Sequence, residues 1–108
     1  MMDYGDTTVM IPVKDEPATE SVVKAVFAAL PNCKIIVVYK GNLNLSLKHK
    51  NLKIVKQTGS GKGRAVIEAG KFVDTEILCL IDGDNTYEVN ALRRVIALVR
   101  YGADMALA

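Results

Sequence analysis

The chain has 108 residues, half of them apolar, enough for one small domain with a buried core and short for most enzymes. Fourteen Lys and Arg stand against twelve Asp and Glu, a net charge of +2 that by itself singles out no partner. No apolar run approaches the ~20 residues of a membrane span, and no segment reads as a signal peptide. The two cysteines, Cys33 and Cys79, lie far apart with no Cys-x-x-Cys, so a reducing, cytoplasmic setting is expected.

In chain order, Thr8-Val9-Met10-Ile11 reads as a first strand, ended by Pro12. Asp15-Glu16-Pro17 then opens a helix, since proline is tolerated in the first turn and acids suit the positive dipole end. Val22, Val23, Val26, Phe27 and Leu30 form its apolar stripe, stopped at Pro31. The β-branched run from Lys34 to Tyr39 suits a strand buried on both faces, as in a parallel sheet.

An irregular polar segment follows from Lys40 to Asn51, then a short strand from Leu52 to Val55. A second helix is predicted after the glycine-rich stretch, with Ala65, Val66, Ala69 and Phe72 on one side. Ile77 to Ile81 is the fourth and most apolar strand, and Cys79 within it is expected to be a buried thiol. Asp82 to Thr86 makes the next turn, with Asn85 and Glu88 spaced as a capping box for a third helix. Leu92, Val95, Ile96 and Val99 give that helix its buried stripe, Gly102 is a natural stop, and Ala103 to Ala108 reads as the start of a fifth strand. Alternating strands and helices predict an α/β fold: a three-layer α/β/α sandwich on a mostly parallel sheet.

The stretch Thr58 to Ala65, T-G-S-G-K-G-R-A, invites a phosphate-loop reading, and its spacing excludes the standard one. A P-loop requires Gly where Lys56 stands and Ser or Thr where Gly63 stands. The dinucleotide pattern fits Gly59 and Gly61 but places its last glycine on Arg64. From Lys48 to Lys71 there are seven basic side chains and one acid, Glu68. Such a run reads either as a solvated face or as a surface for phosphate. Nucleic acid is not the expected partner, because Phe72, the one aromatic nearby, is assigned to the helix's apolar side. His49 has no partner at metal-ligand spacing and reads as an exposed surface histidine.

In open parallel sheets ligands gather outside the carboxyl ends of the strands. Pro12 to Glu16, Tyr39 to Asn42, Gly59 to Arg64 and Asp82 to Asp84 all fall on that edge. Asp82-Gly83-Asp84 directs two carboxylates at one small volume after a buried strand. Hard oxygen ligands of that kind suit Mg2+ or Mn2+.

Four stretches carry a resemblance: V-M-I-P-V-K-D-E (9 to 16), C-K-I-I-V-V-Y-K-G-N (33 to 42), G-K-G-R-A-V (61 to 66) and I-L-C-L-I-D-G-D-N-T-Y (77 to 87). In this order and spacing the chain resembles the amino-terminal half of a family 2 glycosyltransferase of the GT-A fold, in particular polyprenyl-phosphate sugar transferases. The resemblance implies a single, partial GT-A domain over residues 1–108 that binds a nucleoside diphosphate sugar. By the same resemblance Pro12, Asp15 and Glu16 line the nucleotide pocket, Lys62 and Gly63 lie beside the nucleoside, and Asp82 faces the ribose or metal. Asp84 would hold the divalent ion. The acceptor stays open, with a lipid phosphate as the class the resemblance suggests.

Two features depart from the family pattern. Relatives commonly carry an acidic pair where this chain has Tyr39-Lys40-Gly41-Asn42; Tyr39 could stack on a base or simply pack half-buried. Family members also continue into an acceptor-binding half that usually supplies the catalytic base, so no catalytic residue is assigned here. The expectations are therefore a fragment, one half of an enzyme, or a reduced, non-catalytic relative acting as a binding or assembly module. In that last case a sheet edge near Ala108 would drive self-association.

Overall fold

A computed structural model describes residues 3–84 and 89–100. The elements run β1 (Thr7–Lys14), α1 (Thr19–Ala29), β2 (Lys34–Lys40), β3 (Leu52–Lys56), α2 (Lys62–Gly70), β4 (Ile77–Leu80) and α3 (Val89–Arg100). The four strands form one sheet in the order β3-β2-β1-β4, and every pairing is parallel.

The continuous apolar run of β2 is explained by its two covered faces. Ile35 and Val37 enter a core shared with Val22, Val23 and Val26 of α1 and Leu92 and Ile96 of α3. Ile36 and Val38 point the other way, onto Ala65 and Ala69 of α2. The result is the three-layer α/β/α arrangement, with α1 and α3 on one face and α2 on the other. Each fully buried Val or Ile contributes roughly 1.5–3 kcal/mol of transfer free energy. Arg93 ties the α1–α3 layer together by donating from Nε and Nη2 to the Ala29 carbonyl, at 3.0 and 2.9 Å.

Three expectations are corrected. Pro12 does not end the first strand; β1 runs on to Lys14, with Pro12 paired to Val38. The peptide groups of its even-numbered residues turn toward β4, as the Met10 carbonyl does in accepting the Ile81 N–H at 3.1 Å. The β1–β4 ladder stops at Met10 and Leu80. The missing N–H of Pro12 therefore falls beyond that ladder's end, where proline is tolerated.

The first helix starts at Thr19, not at Asp15. Asp15 has φ +50°, outside the helical region, and Glu16 closes a turn by accepting from the Ala18 N–H at 3.3 Å and the Thr19 hydroxyl at 2.9 Å.

Phe72 is not on the face of α2, which ends at Gly70. Phe72 is 38% exposed, with the Lys53 and Lys71 ammonium groups 4.3 and 5.4 Å from the centre of its ring.

The other elements follow the expected pattern, with differences at the ends. β4 alternates: Ile77 and Cys79 are buried, whereas Leu78 and Leu80 stay exposed. Residues 40–51 carry little regular structure beyond the end of β2, and Leu43, Leu45 and Leu47 there pack half-buried on the α1 side. His49 is exposed as expected, and its ring stacks on Phe27 at 4.0 Å. The capping box of Asn85 and Glu88, the stop at Gly102, the strand from Ala103 and the edge near Ala108 lie outside the described residues.

Candidate functional site

Because all four strands run the same way, their carboxyl ends meet on one edge of the sheet. A groove of about 230 Å³ opens there between the end of β1 and the glycine-rich loop, lined by Pro12, Val13, Lys14, Lys40, Gln57, Ser60 and Gly61. A second hollow of about 180 Å³ is lined by Pro12, Val13, Lys14, Glu16, Asp82, Gly83 and Asp84. Pro12, Val13 and Lys14 belong to both, so the two form one cleft with a basic and an acidic side.

The basic side is built on a shaped loop. Buried Gln57 donates from Nε2 to the carbonyls of Gly59 and Gly61, at 3.0 and 2.9 Å. Its own N–H bonds the Tyr39 carbonyl at 2.7 Å, fixing the loop to the end of β2. Lys40 Nζ reaches across to the Gly59 carbonyl at 2.9 Å and Ser60 Oγ at 3.1 Å. Gly61 has φ +88°, which favours glycine, and α2 begins at the next residue without a side-chain cap.

The loop's first amides are already engaged. The Glu68 carboxylate accepts the Thr58 N–H at 2.9 Å, the Gly59 N–H at 3.2 Å and the Thr58 hydroxyl, and Arg64 Nε lies 3.3 Å away. The Thr58 hydroxyl and amide are the main reasons this carboxyl sits below the usual glutamate range. Those two amides therefore do not cradle a ligand phosphate, as a P-loop's would.

On the acidic side, Asp82-Gly83-Asp84 follows β4 directly. Gly83 is buried, and a Cβ placed on it would meet Val13 Cγ1 at 2.3 Å. Only glycine lets this turn close onto β1, which brings both aspartates to the rim shared with Glu16. Among the described residues no three His, Cys, Asp or Glu side chains form a group that could hold an ion alone.

The structure brings together Pro12, Glu16, Asp82 and Asp84, and it separates other expected residues from them. Asp15 turns toward the start of the 41–51 segment, where Oδ1 accepts the Asn42 N–H at 2.6 Å. Tyr39 packs half-buried on the α1 side and is not part of the cleft lining. Lys62 and Gly63 form the first turn of α2 beside Gly61, and space is open around Gly63.

Lys14, Lys40 and Gln57 were not singled out from sequence. A signal for the lysines was present, because period-two alternation from Pro12 puts Lys14 on the same face as Pro12. The β1–β2 register then sets Lys14 beside Lys40.

This parallel α/β half-sandwich, with its Asp-Gly-Asp turn and glycine loop on one edge, matches glycosyl transferase family 2 over residues 8–108. The chain belongs to glycosyltransferase family 2. No curated protein and no solved structure matches it. Membership makes glycosyl transfer the general activity of the domain, with a nucleotide-sugar donor and an acceptor as the partners it implies. None of the helices, over the described residues, is long and apolar enough to cross a membrane.

Proposed function

We propose that the cleft at the strand ends binds a nucleoside diphosphate sugar, the donor for transfer of the sugar to an acceptor. The observation that carries this reading is the convergence of Glu16, Asp82 and Asp84 with the glycine-rich loop around the shared Pro12-Val13-Lys14 segment. Pro12 and Val13 offer apolar surface to the nucleoside, while Lys14, Lys40 and Ser60 offer donors to the oxygens of the nucleoside diphosphate sugar.

Asp82 and Asp84 fit a divalent cation, Mg2+ or Mn2+. Two carboxylates suffice for magnesium when substrate phosphates complete its shell. When bound, the ion would act as a Lewis acid that neutralises charge on the departing nucleoside diphosphate. Gly83 holds the two aspartates against β1, and Gln57 holds the opposite wall of the cleft.

A polyprenyl phosphate or similar lipid phosphate is the acceptor class favoured by the four matching stretches. Transfer of a labelled sugar to a short polyprenyl phosphate in detergent tests it. Calorimetric titration with UDP, GDP and their sugars, in manganese and in EDTA, tests the donor reading. Metal-dependent binding of one nucleotide, lost in Asp84→Ala, is expected; binding unchanged by that substitution would refute the proposal.

A further inference from the structure

We infer that the basic side of the cleft is an anion site in its own right, in which Lys14 and Lys40 hold a phosphoryl group of the ligand without a metal ion. The natural ligand's identity rests on the donor reading above; the anion site itself does not.

Lys14 and Lys40 are partners in the β1–β2 register, so their side chains leave the sheet on the same face from strands roughly 4.8 Å apart. Both line the 230 Å³ groove, and no carboxylate lines it with them. Like charges at paired positions disfavour folding unless something neutralises them. The protein keeps this pair together at the mouth of a cavity.

A structural role accounts for Lys40 only in part. Two of its three ammonium donors serve the Gly59 carbonyl and Ser60 Oγ, which leaves one. Lys14 is exposed and has no hydrogen bond or ion pair among the described residues. No packing or pairing role explains it.

The surroundings narrow what the pair can hold. Thr58 and Gly59 have given their amides to Glu68, so those two amides do not compete with the lysines for a ligand on this wall. A second lysine-lined cavity, about 340 Å³, lies near the opposite ends of the strands. There Lys34 is paired with Asp74 at 2.9 Å and Lys53 lies over Phe72, and a further lysine, Lys50, shares a lining that includes the Asp74 carboxylate. Two lysines set side by side at a groove that no carboxylate lines are thus found at the Lys14–Lys40 pair. A tetrahedral phosphoryl group, with oxygens enough for both lysines, is the ligand chemistry that fits.

The test is titration of the folded chain with inorganic pyrophosphate in EDTA at low ionic strength. Saturable binding that weakens with added salt is expected. Lys14→Gln is expected to weaken it by about ten-fold or more, the loss of one charge-assisted hydrogen bond. Lys14→Arg keeps the charge and is expected to stay within a few-fold of the parent. Lys53→Gln, in the other cavity, is expected to leave pyrophosphate binding in EDTA unchanged. No binding in EDTA, equal binding by Lys14→Gln, or a loss in Lys53→Gln instead would each overturn the inference. Manganese-dependent nucleotide binding is scored separately, so the donor reading and the lysine site can fail independently.

Discussion

The carboxylate of Asp15 occupies the space that a side chain on Gly41 would need: a Cβ there would meet Oδ1 at 2.3 Å. The same oxygen accepts the Asn42 N–H at 2.6 Å, and both residues have positive φ, +50° at Asp15 and +78° at Gly41. The ends of β1 and β2 are thus locked to each other just outside the sheet. Gly41→Ala is expected to destabilise the fold by about 1–3 kcal/mol, from backbone strain and the clash together. Urea denaturation of Gly41→Ala, Asp15→Ala and the double variant checks this. The double variant should cost less than the sum of the singles, because Asp15→Ala removes the clash but not the strain.

Gly83 makes a second tight approach, this time to Val13, which lines both sides of the cleft. Gly83→Ala is expected to cost about 1–3 kcal/mol by overpacking. Adding Val13→Ala should recover part of that loss in the same denaturation experiment. Metal-dependent nucleotide affinity should fall in Gly83→Ala, because the Asp82–Asp84 turn can no longer close onto β1.

The two thiols set an alkaline limit. Burial pushes Cys33 up to about 12, with a further push from Cys79, and burial pushes Cys79 up to about 11. Both values exceed the ordinary thiol value of 9.0, so folding favours the neutral form. The stability this contributes is full below pH 9.0 and is lost as the pH rises toward 11 and 12. Thermal unfolding of Cys33→Ala and Cys79→Ala should show a weaker fall in stability above pH 9.0 than the parent does. In the native parent at neutral pH, a thiol reagent should label neither cysteine until the chain unfolds.

Glu68 responds at the other end of the scale. Its carboxyl sits below the usual range because it accepts the Thr58 hydroxyl and amide. A depressed carboxylate contributes stability above its unfolded-state range, and that stability is lost as the pH falls through the lowered folded-state value. The amide resonances of Thr58 and Gly59 should therefore stay put through the ordinary glutamate range and move only below it. In Glu68→Gln they should already be shifted at neutral pH.

Much of the architecture was legible because each layer writes its own period. The β-branched run of β2 signalled two covered faces, and the stripes of α1 and α3 signalled one. The start of α1 was misread because Asp15-Glu16-Pro17 has the composition of a helix opening, whereas Asp15 is needed as an acceptor for Asn42. That partner lies in a segment with no periodicity to locate it. Phe72 was misread because its spacing from Ala65 and Ala69 is nearly helical, while α2 stops at Gly70 and Lys53 arrives from another strand. Within the site, the Asp-Gly-Asp turn stood out by composition. Lys14 and Lys40 did not, because two lysines acquire meaning as a pair only once the strand register sets them side by side.

The central claim, a metal-dependent donor site at the strand ends, is tested most directly by adding Mn2+ with a nucleoside diphosphate to the isotope-labelled chain. Paramagnetic broadening of amide resonances then reports where the ion sits. The expected result is broadening centred on Gly83 and Asp84 and reaching Val13 and Lys14, abolished in Asp84→Ala. Broadening centred instead near Asp74 and Phe72, or unaffected by Asp84→Ala, would contradict the account.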